Sequence, residues 1–364
     1  MAKKLHKSAL TVNKGIEQPP SVNESYLNKI SKRILRTETP GFYTEGILKG
    51  SITHLSRAIT LVESTLPMHQ DIARQIIEGC MPHTGNSLRI GITGVPGVGK
   101  STFIEAMGKY ITSRGEKLAV LAVDPSSERS KGSILGDKTR MEKLAVDPLC
   151  FIRPSPSAGT LGGVARKTME TALLCEAAGY RIIFIETVGV GQSETTVRNM
   201  VDFFLLLMLP GAGDELQGIK RGIMEMADML VVNKADGDNL NRALVAKNEY
   251  QNALRLYPRP ESGWLPQVEI CSAKTGYGIE DVWQLIKDYK NFTVENQFFE
   301  KNRRKQYVNA LHETIKQELI NQFYNHEGMV NMLKKHELLL QAEKETPYEA
   351  ATKILEAFYA DVTK

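Results

Sequence analysis

Gly94-Val95-Pro96-Gly97-Val98-Gly99-Lys100-Ser101 fits the phosphate-loop pattern G-x-x-x-x-G-K-S/T at every fixed position. The residue types explain the spacing. Glycines let successive backbone N–H groups turn onto phosphate oxygens, the lysine reaches the β and γ oxygens, and the serine hydroxyl is placed for Mg2+. With Thr102, the loop is a candidate site for a nucleoside triphosphate. A glycine-rich turn that binds nothing has no need of Lys100 and Ser101 together.

A phosphate loop does not choose a base, but two later stretches do. Asn233-Lys234-Ala235-Asp236 has the form N-K-x-D and follows the apolar run Met229–Val232; Ser272-Ala273-Lys274 follows Gln267–Cys271. A carboxylate at Asp236 accepts two hydrogen bonds from guanine N1–H and its 2-amino group, whereas adenine leaves that charge unmatched. The second turn offers a backbone N–H to guanine O6. Together they favour GTP over ATP.

A third stretch, Glu186-Thr187-Val188-Gly189-Val190-Gly191-Gln192, has the shape of D-x-x-G with Glu in place of Asp. The acid helps to hold Mg2+ through water and the Gly189 N–H contacts the γ-phosphate. Val190 stands where Ras-like proteins place the water-orienting glutamine, so intrinsic hydrolysis is expected to be slow; Gln192 lies two positions late. Asp124 closes the run Leu118–Val123, and Asp137 sits in the loop 132–140. Both suit Mg2+ or a bound water, the alternatives being a turn cap before Pro125 and a solvated loop charge.

The elements that must position these residues are legible as apolar runs. Leu88–Thr93, Leu118–Val123, Arg181–Ile185, Phe203–Leu209, Met229–Val232 and Gln267–Cys271 read as buried strands, with helical patterns at Thr102–Thr112 and Thr160–Ala178. Alternation of that kind predicts an α/β fold: a mostly parallel sheet with helices on both faces and ligands at the strand carboxyl ends. Before it, residues 1–44 read as a flexible extension. Leu48, Ile52, Leu55, Ile59 and Val62 predict one helix from Glu45 to Ser64-Thr65, and Pro67 opens another, giving N-terminal helices over 45–86 packed on a nucleotide domain of 87–290. From 291 to 364 the sequence predicts a helical arm, with Val308, Leu311, Ile315, Leu319 and Phe323 as a stripe, a second helix over Gly328–Lys344 and a third over Pro347–Val362. That stripe either folds back on the sheet or meets a second copy.

Composition sets bounds on partners. The chain has 364 residues and a formal net charge of +4 from 46 basic and 42 acidic residues, a near balance that gives no reason to expect nucleic acid or an anionic membrane. Cys80, Cys150, Cys175 and Cys271 show no C-x-x-C spacing, which argues against a zinc site and suits a reducing, cytoplasmic setting. No apolar run approaches the ~20 residues that span a bilayer. The basic start lacks arginine before Arg33, so a solvated tail is expected rather than a transit peptide.

The linked motifs, from Gly94–Thr102 and Val123–Ser127 through Asp137 and Glu186–Gln192 to Pro210–Gln217 and Asn233–Asp236, resemble the MeaB-type GTPases. These are G-protein chaperones of adenosylcobalamin-dependent methylmalonyl-CoA mutase, once taken for ArgK-type transport kinases. The likeness spans about residues 45–340. It implies GTP hydrolysis to GDP and phosphate, a homodimer joined through the C-terminal arm, binding to the mutase, control of its cofactor loading and its protection. By position it implies Lys100 and Ser101 on phosphate and Mg2+, an acidic Mg2+ shell of Asp124, Asp137 and Glu186, and guanine readers Asn233, Asp236, Ser272 and Lys274. The segment 211–221 resembles the family's additional switch, from which Lys220 either enters the site to stabilise transition-state charge or stays a solvated lysine. No D-x-H-x-x-G element is present, so cobalamin itself is not expected on this chain. The rival readings are a P-loop kinase and, among binding proteins, a metallochaperone or targeting GTPase.

Overall fold

Strand β1, Leu88–Gly94, is buried from end to end at the centre of a seven-stranded sheet. The computed structural model describes residues 38–123, 141–154, 161–187, 193–211 and 221–362. The other strands are β2 (Leu118–Val123), β3 (Cys150–Arg153), β4 (Ile182–Thr187), β5 (Phe203–Met208), β6 (Met229–Val232) and β7 (Gln267–Ile270), in the order β3-β2-β4-β1-β5-β6-β7. Every pairing is parallel, with Ile90 opposite Phe184 on one side and Phe203 on the other. Strands so rich in Ile, Leu, Val and Phe have no polar face to offer water. Both sides must be covered.

The helices that cover them are α1 (Pro40–Leu48), α2 (Ile52–Glu63), α3 (Pro67–Cys80), α4 (Lys100–Thr112), α5 (Glu142–Ala145), α6 (Leu161–Ala177), α7 (Ser193–Arg198), α8 (Arg221–Met226), α9 (Asn239–Leu254), α10 (Ile279–Glu295), α11 (Phe298–Asn325), α12 (Glu327–Gln341) and α13 (Pro347–Val362). Alternation within β4 shows the division. Ile182 and Phe184 pack with Phe103 and Met107 of α4 and Ile286 and Tyr289 of α10. Ile183 and Ile185 face the opposite layer, which includes Ile47, Leu55, Ile59 and Ile76 of α1–α3, Leu174 of α6 and Tyr250 of α9. Those four N-terminal side chains are fully buried, each stabilising the fold by roughly 1.5–3 kcal/mol. The helices of the N-terminal region are therefore part of the core.

Two details differ from the sequence reading. The single helix expected from Glu45 is two, α1 starting at Pro40 behind the Thr39 cap and α2 starting at Ile52. Between them Gly50 takes φ +74 and donates to Ile47 O at 2.8 Å, a left-handed turn that stops the first helix. The second difference is β3, a four-residue edge strand whose last residues are only partly buried, so it lacks the continuous apolar run that marks the others. Residues 1–37 of the expected extension lie outside the described residues.

The amino ends of β1 and β5 are tied to the root of α11. Arg303 donates to both carboxylate oxygens of Asp202 at 2.8 and 2.7 Å and to Ser87 O at 2.8 Å, and reaches Glu176 Oε1 at 3.4 Å. Arg89, itself fully buried, donates from Nε to Glu176 Oε1 at 2.8 Å and from its backbone N–H to Asp202 Oδ2 at 2.8 Å. Burial alone would push the Glu176 carboxyl up; Arg89 and Arg303 outweigh it and hold that group below its ordinary range. Farther along α11, Val308, Leu311, Ile315 and Leu319 are exposed on the single chain, while Phe323 meets Phe358 of α13 edge-on with centroids 5.1 Å apart.

Candidate functional site

β1 delivers the phosphate loop at its carboxyl end, the central position of the sheet. Gly94 leaves the strand so close to β5 that a Cβ there would lie 2.6 Å from Leu207 O. Gly97 and Gly99 take φ +80 and +92, conformations that open the backbone N–H groups into the loop. The first helical bond of α4 runs from Phe103 N to Gly99 O at 2.9 Å, so the N–H groups of Lys100, Ser101 and Thr102 stand unused by the helix at its positive end. Pro96 and Gly97 are exposed and Val95 half-buried, whereas Val98 sends its side chain into the core beneath α4. Val98 contributes to the loop through its backbone.

Lys100 donates to Gly94 O at 2.8 Å and to Val95 O at 3.4 Å. Burial lowers its pKa, with Glu186 and Glu194 pulling it back up. A lysine held by neutral carbonyls is ready to exchange them for phosphate oxygens, which bind a cation more strongly. Glu186, near the end of β4, shares a strand face with Ile182 and Phe184 and so points to the α4 side, where half-buried Ser101 sits in the first helical turn. A hydroxyl and a carboxylate form an oxygen donor set of the kind a hard divalent cation selects. Among the described residues no group of three or more His, Cys, Asp or Glu gathers around a common centre.

The base-reading turns meet the phosphate loop through Asn233. Its Nδ2 donates to Val98 O at 2.9 Å, and its Oδ1 accepts from Ala273 N at 3.0 Å. Asn233 is 2% exposed, and a Cβ on Gly99 would lie 3.0 Å from its Nδ2. It thus brackets the two loops. Lys234, at φ +62, lays its side chain toward the loop and donates to Gly97 O at 2.8 Å. Ser272 Oγ donates to Asp236 Oδ1 at 2.8 Å, fixing one carboxylate oxygen of a half-buried side chain. Lys274 is exposed at the mouth.

The residues Gly94–Thr102, Glu186, Asn233, Lys234, Asp236 and Ser272–Lys274 therefore gather along one edge of the sheet. Asp124, Asp137, Gly189, Gln192 and Lys220 lie outside the described residues. Sequence reasoning missed three participants. Thr187 donates to Thr93 Oγ1 at 2.8 Å across β4 and β1 just below the loop, and Glu194 of α7 is 4% exposed. The signal for Glu194 was present: an acid at helical spacing with Val197 and Val201, on an otherwise apolar stripe.

Residues 55–328 match the family described as Methylmalonyl Co-A mutase-associated GTPase MeaB. The GTPase ArgK of Escherichia coli K12 is 47% identical over 279 residues, covering 77% of this chain and 84% of its own length. A mouse protein, Methylmalonic aciduria type A homolog, mitochondrial, is 43% identical over 323 residues, covering 86% of this chain and 78% of its own. Among solved structures, one titled LAO/AO transport system kinase aligns with a TM-score of 0.69 at 36% identity, covering 89% of this chain and 99% of that one.

Proposed function

The chain belongs to the MeaB family of methylmalonyl-CoA mutase-associated GTPases, and from that premise we propose that it is a nucleotide-dependent chaperone of an adenosylcobalamin-dependent methylmalonyl-CoA mutase. GTP hydrolysis gates cofactor loading and protects the mutase from inactivation. What carries the reading is the family match across residues 55–328 joined to a phosphate loop and an N-K-x-D turn that Asn233 ties into one unit.

In this reading Lys100 exchanges the Gly94 carbonyl for phosphate oxygens, and the open N–H groups of Lys100, Ser101 and Thr102 cradle them. Asp236, oriented by Ser272, takes the guanine N1–H and 2-amino group, and the Ser272–Lys274 turn faces O6. Mg2+ would be held by Ser101 and Glu186, with Asp124 and Asp137 completing the shell; it supplies positive charge to the phosphoryl oxygens. Gly189 contacts the γ-phosphate. Water attacks in line, GDP and phosphate leave, and the conformational change is the output. Lys220 stabilises transition-state charge when the mutase docks.

The exposed stripe of α11, Val308 to Leu319, supports a homodimer joined through the C-terminal arm. Among the described residues no helix is long and apolar enough to cross a membrane. The test is a titration of the purified mutase into the full chain by calorimetry, with GDP and with a non-hydrolysable GTP analogue. A complex whose affinity differs between the two nucleotides supports the reading, and absence of any complex refutes it. Appearance of a phosphorylated acceptor in place of free phosphate would instead favour a kinase.

A further inference from the structure

The backbone ladders around β1 and β4 do not end together. β1 and β4 are paired from Leu88–Ile182 to Ile92–Glu186, whereas β1 runs on beside β5 to Gly94–Leu207 and β4 runs on beside β2 to Val123–Thr187. At the level of Thr93 and Thr187 each central strand is thus paired with its outer neighbour, and the ladder between the two has already closed. A side-chain bond spans the opening, Thr187 Oγ1 donating to Thr93 Oγ1 at 2.8 Å.

The surroundings of this pair are apolar. Followed across the sheet, the row at this level reads Val123, Thr187, Thr93, Leu206, Leu230 and Val268, all of them buried, and the four flanking residues belong to the core layer on the α1–α3 side. Two hydroxyls in such a row need each other, because either one alone is a buried polar group without a partner. A matched pair adds little to stability over two apolar side chains of the same shape. Stability therefore gives little reason for it, but its chain neighbours give one. Thr93 precedes Gly94, whose carbonyl accepts from Lys100 Nζ at 2.8 Å. Thr187 follows Glu186, which shares the α4 face of β4 with Ile182 and Phe184. The hydroxyl bond ties the strand end that carries the acid to the strand end that carries the loop.

We propose that the Thr93–Thr187 pair is a positioning device for hydrolysis: it locks the ends of β4 and β1 together so that Glu186 and Lys100 meet the terminal phosphate and its Mg2+ in one fixed geometry. The inference rests on the reading of Glu186 as part of the Mg2+ shell. GDP needs the loop and the base-reading turns, so its binding does not depend on the lock. A γ-phosphate with its metal engages both strand ends at once, and the lock supplies their spacing in advance.

The experiment uses the full chain and measures four quantities: the single-turnover rate of GTP hydrolysis in Mg2+, the affinities for GDP and for a non-hydrolysable GTP analogue, and the unfolding midpoint. In Thr93→Val combined with Thr187→Val, donor and acceptor leave together, so the midpoint should hold and GDP affinity should stay within about two-fold. The hydrolysis rate should fall by about ten- to a hundred-fold, as loosening of reacting groups by up to an ångström produces. The ratio of analogue to GDP affinity should fall by about three- to ten-fold as preorganisation is lost. Thr187→Ser keeps the hydroxyl and loses a buried methyl group, so the midpoint should drop while rate and ratio stay within about three-fold. A pair that served stability alone would give the reverse, with the rate following the midpoint. The inference fails if either rate or ratio holds in the double variant, or if Thr187→Ser lowers them as far. Glu186→Gln separates the two levels: if it lowers rate and ratio while the double variant does not, this inference alone is overturned, and if it changes neither, the metal-shell reading falls and the inference with it. Should the double variant not fold, Thr187→Val against Thr187→Ser decides, per folded molecule: a rate lowered only by valine supports the lock, and a rate lowered equally by both overturns it.

Discussion

At the amino end of the sheet, Arg303 meets Asp202, Glu176 and Ser87 at hydrogen-bond distance, and Arg89 completes the cluster from β1. At the carboxyl end, Lys100 and Lys234 donate to loop carbonyls, and Asp236 accepts from the Ser272 hydroxyl. The same strand, β1, connects the two. Charges at the base are matched by opposite charges within the fold, so they specify where the arm joins. Charges at the top make hydrogen bonds to neutral groups, which a phosphate or a guanine can displace with a gain in electrostatic energy.

The largest expected effect that sharpens the contrast is at the base. Arg303→Met strands Asp202 in the interior and leaves Arg89 as the only arginine on Glu176, and should cost about 3–5 kcal/mol of stability, as removal of one partner of a buried ion cluster does. Chemical denaturation measures it, and GDP affinity in the folded variant should stay within about two-fold because the nucleotide site shares no partner with this cluster. A loss of stability under about 1 kcal/mol would mean that the cluster does not secure α11.

At the top the expectation reverses. Asp236→Asn should weaken guanine nucleotide binding by about 1.5–3 kcal/mol, the worth of a charge-assisted hydrogen bond, while the unfolding midpoint barely moves. Unchanged GDP affinity would remove Asp236 as the reader of the base. The next effect is smaller and separates the ends by pH. Glu176 is held below its ordinary carboxyl range, so its contribution to stability is complete above the ordinary value of 4.5 and is lost as the pH falls further toward the depressed one. The unfolding temperature should therefore decline between about pH 5 and pH 3, and Arg303→Met should flatten that part of the decline. Identical acid profiles for the two proteins would contradict the assignment.

The top of the molecule was far more legible in the sequence than its base. Phosphate and guanine chemistry demand fixed residue types at short spacings, so Gly94–Ser101, Asn233–Asp236 and Ser272–Lys274 announce themselves, and the apolar strands before them place them on one edge. Asn233 shows the limit of that legibility: its motif did not reveal that its side chain spans Val98 O and Ala273 N, 135 and 40 residues away. The base cluster joins Arg89, Glu176, Asp202 and Arg303 across separations of up to 127 residues, and no local pattern links them. Strand β3 escaped because partial burial at the sheet edge removed the apolar run that marks a central strand.

The central claim, that the carboxyl-end site is a guanine switch in service of a mutase, is tested most directly by measuring GTP hydrolysis by the purified protein with and without adenosylcobalamin-dependent methylmalonyl-CoA mutase from the same organism. The account predicts slow hydrolysis alone, a marked increase on adding the mutase, and loss of both in Lys100→Ala. Steady turnover that does not respond to the mutase would contradict it.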